Sequence, residues 1–290
     1  MNQSGADSPL GRKDLLVAAR SALLDALGAL EAQRDAVIVI GAQAIYLRTK
    51  ASPVALAEAT KDSDLALDPR ELAEDPKVEE AMTSARFYPN PFSGNPGEWM
   101  NPVGIPVDLM VPEALSGPGA AGTRGARIPP HSRRATRRAV GLEAALVDNS
   151  VLDVAALDPL DSRVYRVRVA GLAALLVAKL HKLGERALRS PDRLVDKDAH
   201  DIYRILVDAP TDELARTVIR LTSDELAGRV TIKALEYLRE LFVVGPEATG
   251  STMAGRAEEG IGDPAFVSQS VSFLAADLVK AIEELQCVAE

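Results

Sequence analysis

The chain has 290 residues, 47% of them hydrophobic and 26% charged, and carries a net charge of −9. That balance fits a globular chain with room for about two domains and excludes a chain-wide basic coat for nucleic acid, though not a local basic patch. Aromatic residues make up only 4%, so Leu, Val, Ile and Ala have to build the core.

The single cysteine, Cys287, can close no internal disulfide, and the polar start MNQSGADSPLGRKD lacks the apolar run of a secretory signal. No stretch reaches about 18 uninterrupted apolar residues, the length a membrane-spanning helix needs. A cytoplasmic protein without a membrane partner is expected.

Lys13–Leu30 carries apolar residues at helical spacing and predicts an amphipathic helix. Val37–Ile40 is a short β-branched run, Gly41 marks a turn, and Ala42–Leu47 resumes a helical pattern. ASPVALAEA reads as a loop with a helical turn, and ATKDSDLALDP as a second strand. A helix is expected over residues 70–85, followed by strands near Arg86–Tyr88 and across Ile105–Val111. SGPGAAGTRGA (116–126) reads as a flexible loop leading into Arg124, Arg127, Arg133, Arg134, Arg137 and Arg138. A strand over Val164–Val169 precedes a strong helix, Ala170–Arg189, and another from Asp196 to Val207.

Beyond that point helix follows helix. Thr211 and Ser223 are expected N-caps, 245–264 a second flexible stretch, and Asp263-Pro264 the start of a last helix through about Gln286. Strands therefore concentrate before residue 170. The pattern predicts an α+β fold: a mixed sheet with helices over 1–165, then a helical domain over 166–290 that completes a cleft.

Alternation on a strand points Asp62 and Asp64 to one face and Ser63, Leu65 and Leu67 to the other. Two carboxylates so close repel unless a cation sits between them, and a hard divalent ion prefers oxygen ligands. Asp108, in the apolar run PVDLMVP, offers a third carboxylate from another strand. Three such groups can hold two Mg²⁺ (or Mn²⁺) ions about a phosphoryl group. A solvated turn edge is the bland reading of Asp62-Ser63-Asp64 alone. Gly41, at a strand-to-helix junction, suits close approach of backbone to phosphate.

In the helical half, Leu172, Leu175, Leu176, Leu180 and Leu183 define a buried stripe, with Lys179 and Arg186 along its edge. Lys179 either meets a partner or snorkels to solvent. Asp198 and Asp201, at i and i+3 beside Ile202 and Ile205, are the obvious partners, through either a structural ion pair or a functional one.

The order IVIGAQAIYLR…TKDSDLAL resembles the opening of the nucleotidyltransferase superfamily, and AALLVAKLHKLGER…DKDAHDIYRIL resembles its AbiEii branch. That branch includes the nucleotidyltransferase-like toxins of abortive-infection and MenT-type toxin–antitoxin systems. The likeness spans about residues 36–207. It implies transfer of a nucleotide from an NTP co-substrate, in several members onto the 3′ end of tRNA, with a cognate antitoxin as a possible partner.

The resemblance implies Asp62 and Asp64 as metal ligands, Lys179 as the phosphate lysine, and Asp198 or Asp201 as a second catalytic acid. Gly41, Ala42, Thr60, Lys61 and Arg186 are the implied nucleotide contacts. Ala42 departs from the Gly-Ser of many members, and the gap from Gly41 to Asp62 is long. A nucleotidyltransferase acting on a protein or small molecule, or a binding protein on the same fold, is the alternative. The Arg124–Arg138 run reads either as an RNA track or as a solvated loop. His131, His181, His200 and Cys287 show no zinc spacing, and Tyr46, Phe92 and Trp99 read as packing residues.

Overall fold

The protein is described by a computed structural model over residues 12–49, 52, 54, 62–120 and 122–289. It is an α+β molecule: a mixed sheet with flanking helices, followed by a helical C-terminal part.

Helix α1 (Arg12–Ala29) leads to β1 (Val37–Ile40), whose four β-branched residues are all buried. Strand β2 (Ser63–Leu67) pairs antiparallel with β1, and β8 (Val164–Ala170) pairs parallel with its other edge. A strand flanked on both sides and covered on both faces must be apolar throughout, which is why β1 shows no alternation. Ser63 turns to α1, donating its hydroxyl to the Ala19 carbonyl at 2.8 Å, and that orientation sends Asp64 to the opposite face.

Parallel to β2 runs β5 (Pro106–Pro112), with β4 (Glu98–Met100) antiparallel on its outer edge and β3 (Tyr88–Pro89) beyond. Strand β6 (Arg137–Ala139) pairs parallel with the far end of β5, and β7 (Asn149–Ala155) closes the other side against β8. The order is β3-β4-β5-β2-β1-β8-β7.

Between these strands lie α2 (Gly41–Arg48), α3 (Val78–Ser84) and α4 (Glu143–Val147), and α5 (Leu172–Arg189) follows β8. Asp148 starts α5: its carboxylate accepts the Ala174 amide at 3.1 Å, and a Cβ on Gly171 would fall 2.2 Å from that carboxylate. Leu175, Leu176, Leu180 and Leu183 are buried as the spacing predicts.

Helix α6 (Asp196–Asp208) packs on α5, and α7 (Thr211–Thr222), α8 (Gly228–Leu238), α9 (Thr249–Arg256) and α10 (Pro264–Ala289) complete the helical part. On α8, Tyr237 lies so close to α5 that a Cβ on Gly184 would meet its ring at 2.3 Å.

Several expectations are corrected. The helix expected over 70–85 is only α3. Pro76 has no amide to donate and disfavours the helical region for Asp75, so helix cannot run through them. The boundary expected at 165/166 falls inside β8, whose pairing with β1 and β7 keeps it in the sheet. Strands β4, β6 and β7 and helix α4 were not foreseen. Arg137 and Arg138 sit on β6 rather than in a flexible loop.

Ser223 ends α7 instead of capping a helix. Asp224 accepts the amides of Leu226 and Ala227, while the start of α7 has no side-chain cap. The stretch 245–264 contains α9, and Phe92 is 88% exposed rather than packed. Asp263 caps α10 as expected, accepting the amides of Ala265 and Phe266 at 3.0 and 3.1 Å.

One helix, α10, is long and apolar enough by length and composition to cross a membrane, although Ser, Gln, Asp, Lys and Glu interrupt its apolar residues. An 18-residue window within Pro264–Cys287 of α10 reaches a mean hydropathy of 1.3, with 39% of that window buried within the molecule.

Candidate active site

Strand register lines up the acids. Asp64 lies opposite Ile40 of β1 on one side and Asp108 of β5 on the other, and Asp108 lies opposite Glu98 of β4. Neighbouring strands are about 4.8 Å apart, so Asp64, Asp108 and Glu98 form a row across three strands, with Asp62 two residues before Asp64. Asp62 is exposed and the other three are half-buried.

Gly41 completes this wall at the β1–α2 junction. Its φ of +66° is a region open to glycine, and a Cβ there would fall 2.0 Å from Asp64 Oδ2. Only glycine lets the helix begin against that carboxylate. Its neighbour Ala42 is buried in the first turn of α2.

The row is short of positive charge. Burial, then repulsion from Asp62, pushes Asp64 up to about 6, although Lys182, Lys179 and Arg137 partly offset the shift. Burial, then Asp64, pushes Asp108 up to about 7. One cation touches the row among the described residues. Arg137 Nη2 lies 2.6 Å from Asp108 Oδ2, and its Nη1 lies 3.5 Å from Glu98 Oε1.

The opposite wall is α5, backed by α6, and there Asp198 and Asp201 are both paired. Lys179 Nζ lies 2.7 Å from both Asp198 Oδ1 and Asp201 Oδ2. Asp198 also meets Lys182 at 2.9 Å and Arg186 at 3.3 Å, and Asp201 meets Lys197 at 3.2 Å. Burial alone would lower Lys179, but the two aspartates outweigh it and hold its pKa well above the ordinary value. Burial would likewise raise Asp198, yet Lys179 and Lys182 hold it well below the usual carboxylate range. Asp201 is lowered in the same way by Lys179 and Lys197.

Between the walls lies a cleft of about 740 Å³. Its lining includes Gly41, Asp62, Asp64, Glu98 and Asp108 on one side and Lys179, Lys182 and Arg186 on the other. The structure thus brings together Asp62, Asp64, Asp108, Gly41, Lys179 and Arg186. Asp198 and Asp201, 3% and 2% exposed, lie behind Lys179 and do not line the cleft. Thr60 and Lys61 lie outside the described residues.

Sequence reasoning passed over Glu98 and Lys182 as site residues and read Arg137 only as part of the arginine run. Lys182 sits one turn beyond Lys179, and its i+3 spacing puts it on the same face. Glu98 lies in a three-residue strand between Pro-, Asn- and Gly-rich turns and leaves no periodic signal.

The oxygen-rich row suits a hard divalent cation, which takes one or two carboxylates and fills its remaining positions with water or phosphate. The Asp62–Asp64 pair meets that requirement, and its mutual repulsion favours a cation. Among the described residues, however, no three His, Cys, Asp or Glu side chains converge on one point, and Asp108 is engaged by Arg137.

No family model matches the chain, and no curated protein matches it. Two solved structures are similar to it in part. An antigenic nucleotidyltransferase-like protein from Paracoccidioides brasiliensis aligns with 78% of this chain and 95% of its own, at 16% identity and a TM-score of 0.37. A protein from H. pylori assigned as a nucleotidyltransferase aligns over 95% and 99%, at 11% identity and a TM-score of 0.35.

Proposed function

We propose that this protein is a metal-dependent nucleotidyltransferase that moves a nucleotide from an NTP to a hydroxyl acceptor. The observation that carries the reading is the polarity of the cleft. Carboxylates Asp62, Asp64 and Asp108 line one wall, and Lys179, Lys182 and Arg186 line the other. A triphosphate needs both: oxygen ligands for its accompanying cation and fixed positive charge for its phosphates.

Asp62 and Asp64 would hold Mg²⁺ or Mn²⁺, with Asp108 joining once Arg137 releases it. Such an ion, when bound, neutralises phosphate charge and lowers the pKa of a coordinated hydroxyl. The chain's own groups do the rest. Lys179, fixed by Asp198 and Asp201, presents a permanent charge to the phosphates. Gly41 leaves room beside Asp64 that any side chain would fill. The acceptor hydroxyl gives up its proton to water, and its oxygen bonds to the α-phosphorus as the bond to the departing pyrophosphate breaks. In this reading Asp198 and Asp201 act as positioning residues for Lys179, not as acids meeting substrate.

As acceptor we propose the 3′ end of tRNA, in a cytoplasmic toxin whose action a cognate antitoxin would restrain. This finer reading rests on the sequence resemblance. Of the expected Arg track, Arg124, Arg137 and Arg138 line the cleft. Arg138 is occupied internally, bonding Glu113 and the carbonyls of Ser116 and Gly117.

A second reading is a nucleotide-binding protein without turnover. The Asp108–Arg137 pair favours it. The test is incubation with each α-labelled NTP, Mg²⁺ or Mn²⁺, and total tRNA or a protein mixture. Label on the RNA 3′ end, lost in Asp64→Asn, is expected. NTP binding without labelled product in any fraction would establish the second reading and end the first.

A further inference from the structure

Asp108 stands between two acids in strand register, Asp64 on β2 and Glu98 on β4. Three carboxylates in a row on one sheet face repel one another, and the sheet holds them in place. The group that relieves them comes from β6. That strand takes over the β5 edge where β4 ends, pairing Arg137 with Met110, two residues beyond Asp108. Side chains two residues apart share a face, which brings the guanidinium back over Asp108 and Glu98.

Its two terminal nitrogens span the pair, at 2.6 Å from Asp108 and 3.5 Å from Glu98, with Met110 Sδ 3.3 Å away. The side chain is 28% exposed and lines the cleft, so it can turn toward a ligand without leaving β6.

From this we infer that Arg137 is an exchangeable counter-cation. With no ligand bound it neutralises Asp108 and Glu98, and a divalent cation that uses Asp108 must displace it toward the anionic part of the ligand. Cation and polyphosphate binding are thereby coupled through one guanidinium. A phosphate that draws Arg137 away frees Asp108, and by linkage a cation at Asp108 frees Arg137 for phosphate. The inference rests on the proposed carboxylate site, but it concerns binding and not turnover.

Two titrations on the full chain test it, neither needing catalysis: Mn²⁺ alone, and inorganic tripolyphosphate alone in the absence of metal. Arg137→Gln should bind Mn²⁺ about tenfold tighter than wild type, because a competing charge in contact with a ligand oxygen is gone. It should bind tripolyphosphate several-fold more weakly.

Arg124→Gln controls for the general field: Arg124 also lines the cleft but bonds Asn95 and no acid, and Mn²⁺ affinity should shift there by less than about twofold. If Arg137→Gln does not fold, Arg137→Lys keeps a charge and loses the fork, and should tighten Mn²⁺ by about two- to threefold. Unchanged or weaker Mn²⁺ binding in the Arg137 variant, or an equal gain in Arg124→Gln, overturns the inference. So does unchanged tripolyphosphate affinity.

Failure of the functional reading looks different. Tighter Mn²⁺ binding in Arg137→Gln, with no nucleotide transferred by wild type to any acceptor, leaves the exchange intact and removes the transferase.

Discussion

The acids on the sheet wall of the cleft and the two acids behind its helical wall stand under opposite conditions. On the sheet, Arg137 contacts Asp108 and Glu98, and Asp64 and Asp108 are pushed up to about 6 and 7. On the helices, Asp198 and Asp201 share Lys179, Lys182, Arg186 and Lys197, and both are held below the usual range. The helical acids are satisfied by the chain itself. On the sheet, Asp64 and Asp108 keep raised pKa values that a bound cation would relieve. A carboxylate that is merely structural is expected to look like Asp201, while one kept for a cation is expected to look like Asp64.

The largest effect should come from breaking the satisfied side. Asp201→Ala removes a buried partner, leaving Lys179 with Asp198 alone and Lys197 without its acid. Loss of one member of a buried pair costs about 3–5 kcal/mol, which urea unfolding would register. A loss below about 1 kcal/mol would mean that water reaches the pair, and the contrast between the walls would collapse.

Next comes Lys179→Met. Asp198 keeps Lys182 and Arg186, and Asp201 keeps Lys197, so stability should fall less than in Asp201→Ala. Transfer should drop by about 10²-fold, the usual consequence of losing one preorganised donor. Normal turnover in this variant would make Lys179 purely structural.

The sheet side should respond in the opposite direction. Asp64 has a raised pKa, so the folded state holds a proton that the unfolded chain has released between about pH 4 and 6. Stability therefore falls as pH rises through that window and stays reduced above it. Asp64→Asn removes the loss and should stabilise the metal-free protein by about 1–3 kcal/mol at pH 8, with little effect at pH 4. Thermal unfolding at both pH values gives the comparison. Added Mn²⁺ should recover much of the deficit in wild type and little in the variant.

How much of this was legible in the sequence differs between the walls for a physical reason. Helices α5 and α6 announce themselves because thirteen to eighteen residues of 3.6-residue periodicity leave few alternatives. A charged residue on the buried stripe, such as Lys179 or Asp198, then stands out against its neighbours. Strand β2 was readable from Asp62-Ser63-Asp64 followed by apolar residues.

Strands β4 and β6, three residues each, carry no pattern of their own. They are strands because β5 offers an edge for them to pair with. Glu98 and Arg137 ride on those two strands, so the neighbours of Asp108 were invisible until the sheet was assembled. The long helix expected over 70–85 failed from the reverse error, a favourable composition interrupted by Pro76, whose missing amide outweighs propensity.

The smallest effect tests whether the helical wall has more positive charge than it needs. Lys182 is 45% exposed and contacts Asp198 Oδ1 at 2.9 Å, an oxygen that Lys179 already holds at 2.7 Å, while Arg186 holds the other oxygen. A half-exposed ammonium that duplicates a buried one contributes little to stability. Lys182→Ala should therefore cost less than about 1 kcal/mol, and less still at high salt. Lys182 also lines the cleft, where its charge faces the acidic row. If the surplus on this wall is kept for an anionic ligand, the substitution should weaken tripolyphosphate binding several-fold while leaving the unfolding midpoint nearly unchanged. The informative quantity is the ratio of the two losses. Binding lost without stability marks Lys182 as part of the ligand's surroundings. Stability lost without binding would make it a third fastening for Asp198, and the positive charge of the helical wall would then be fully accounted for by the two acids behind it.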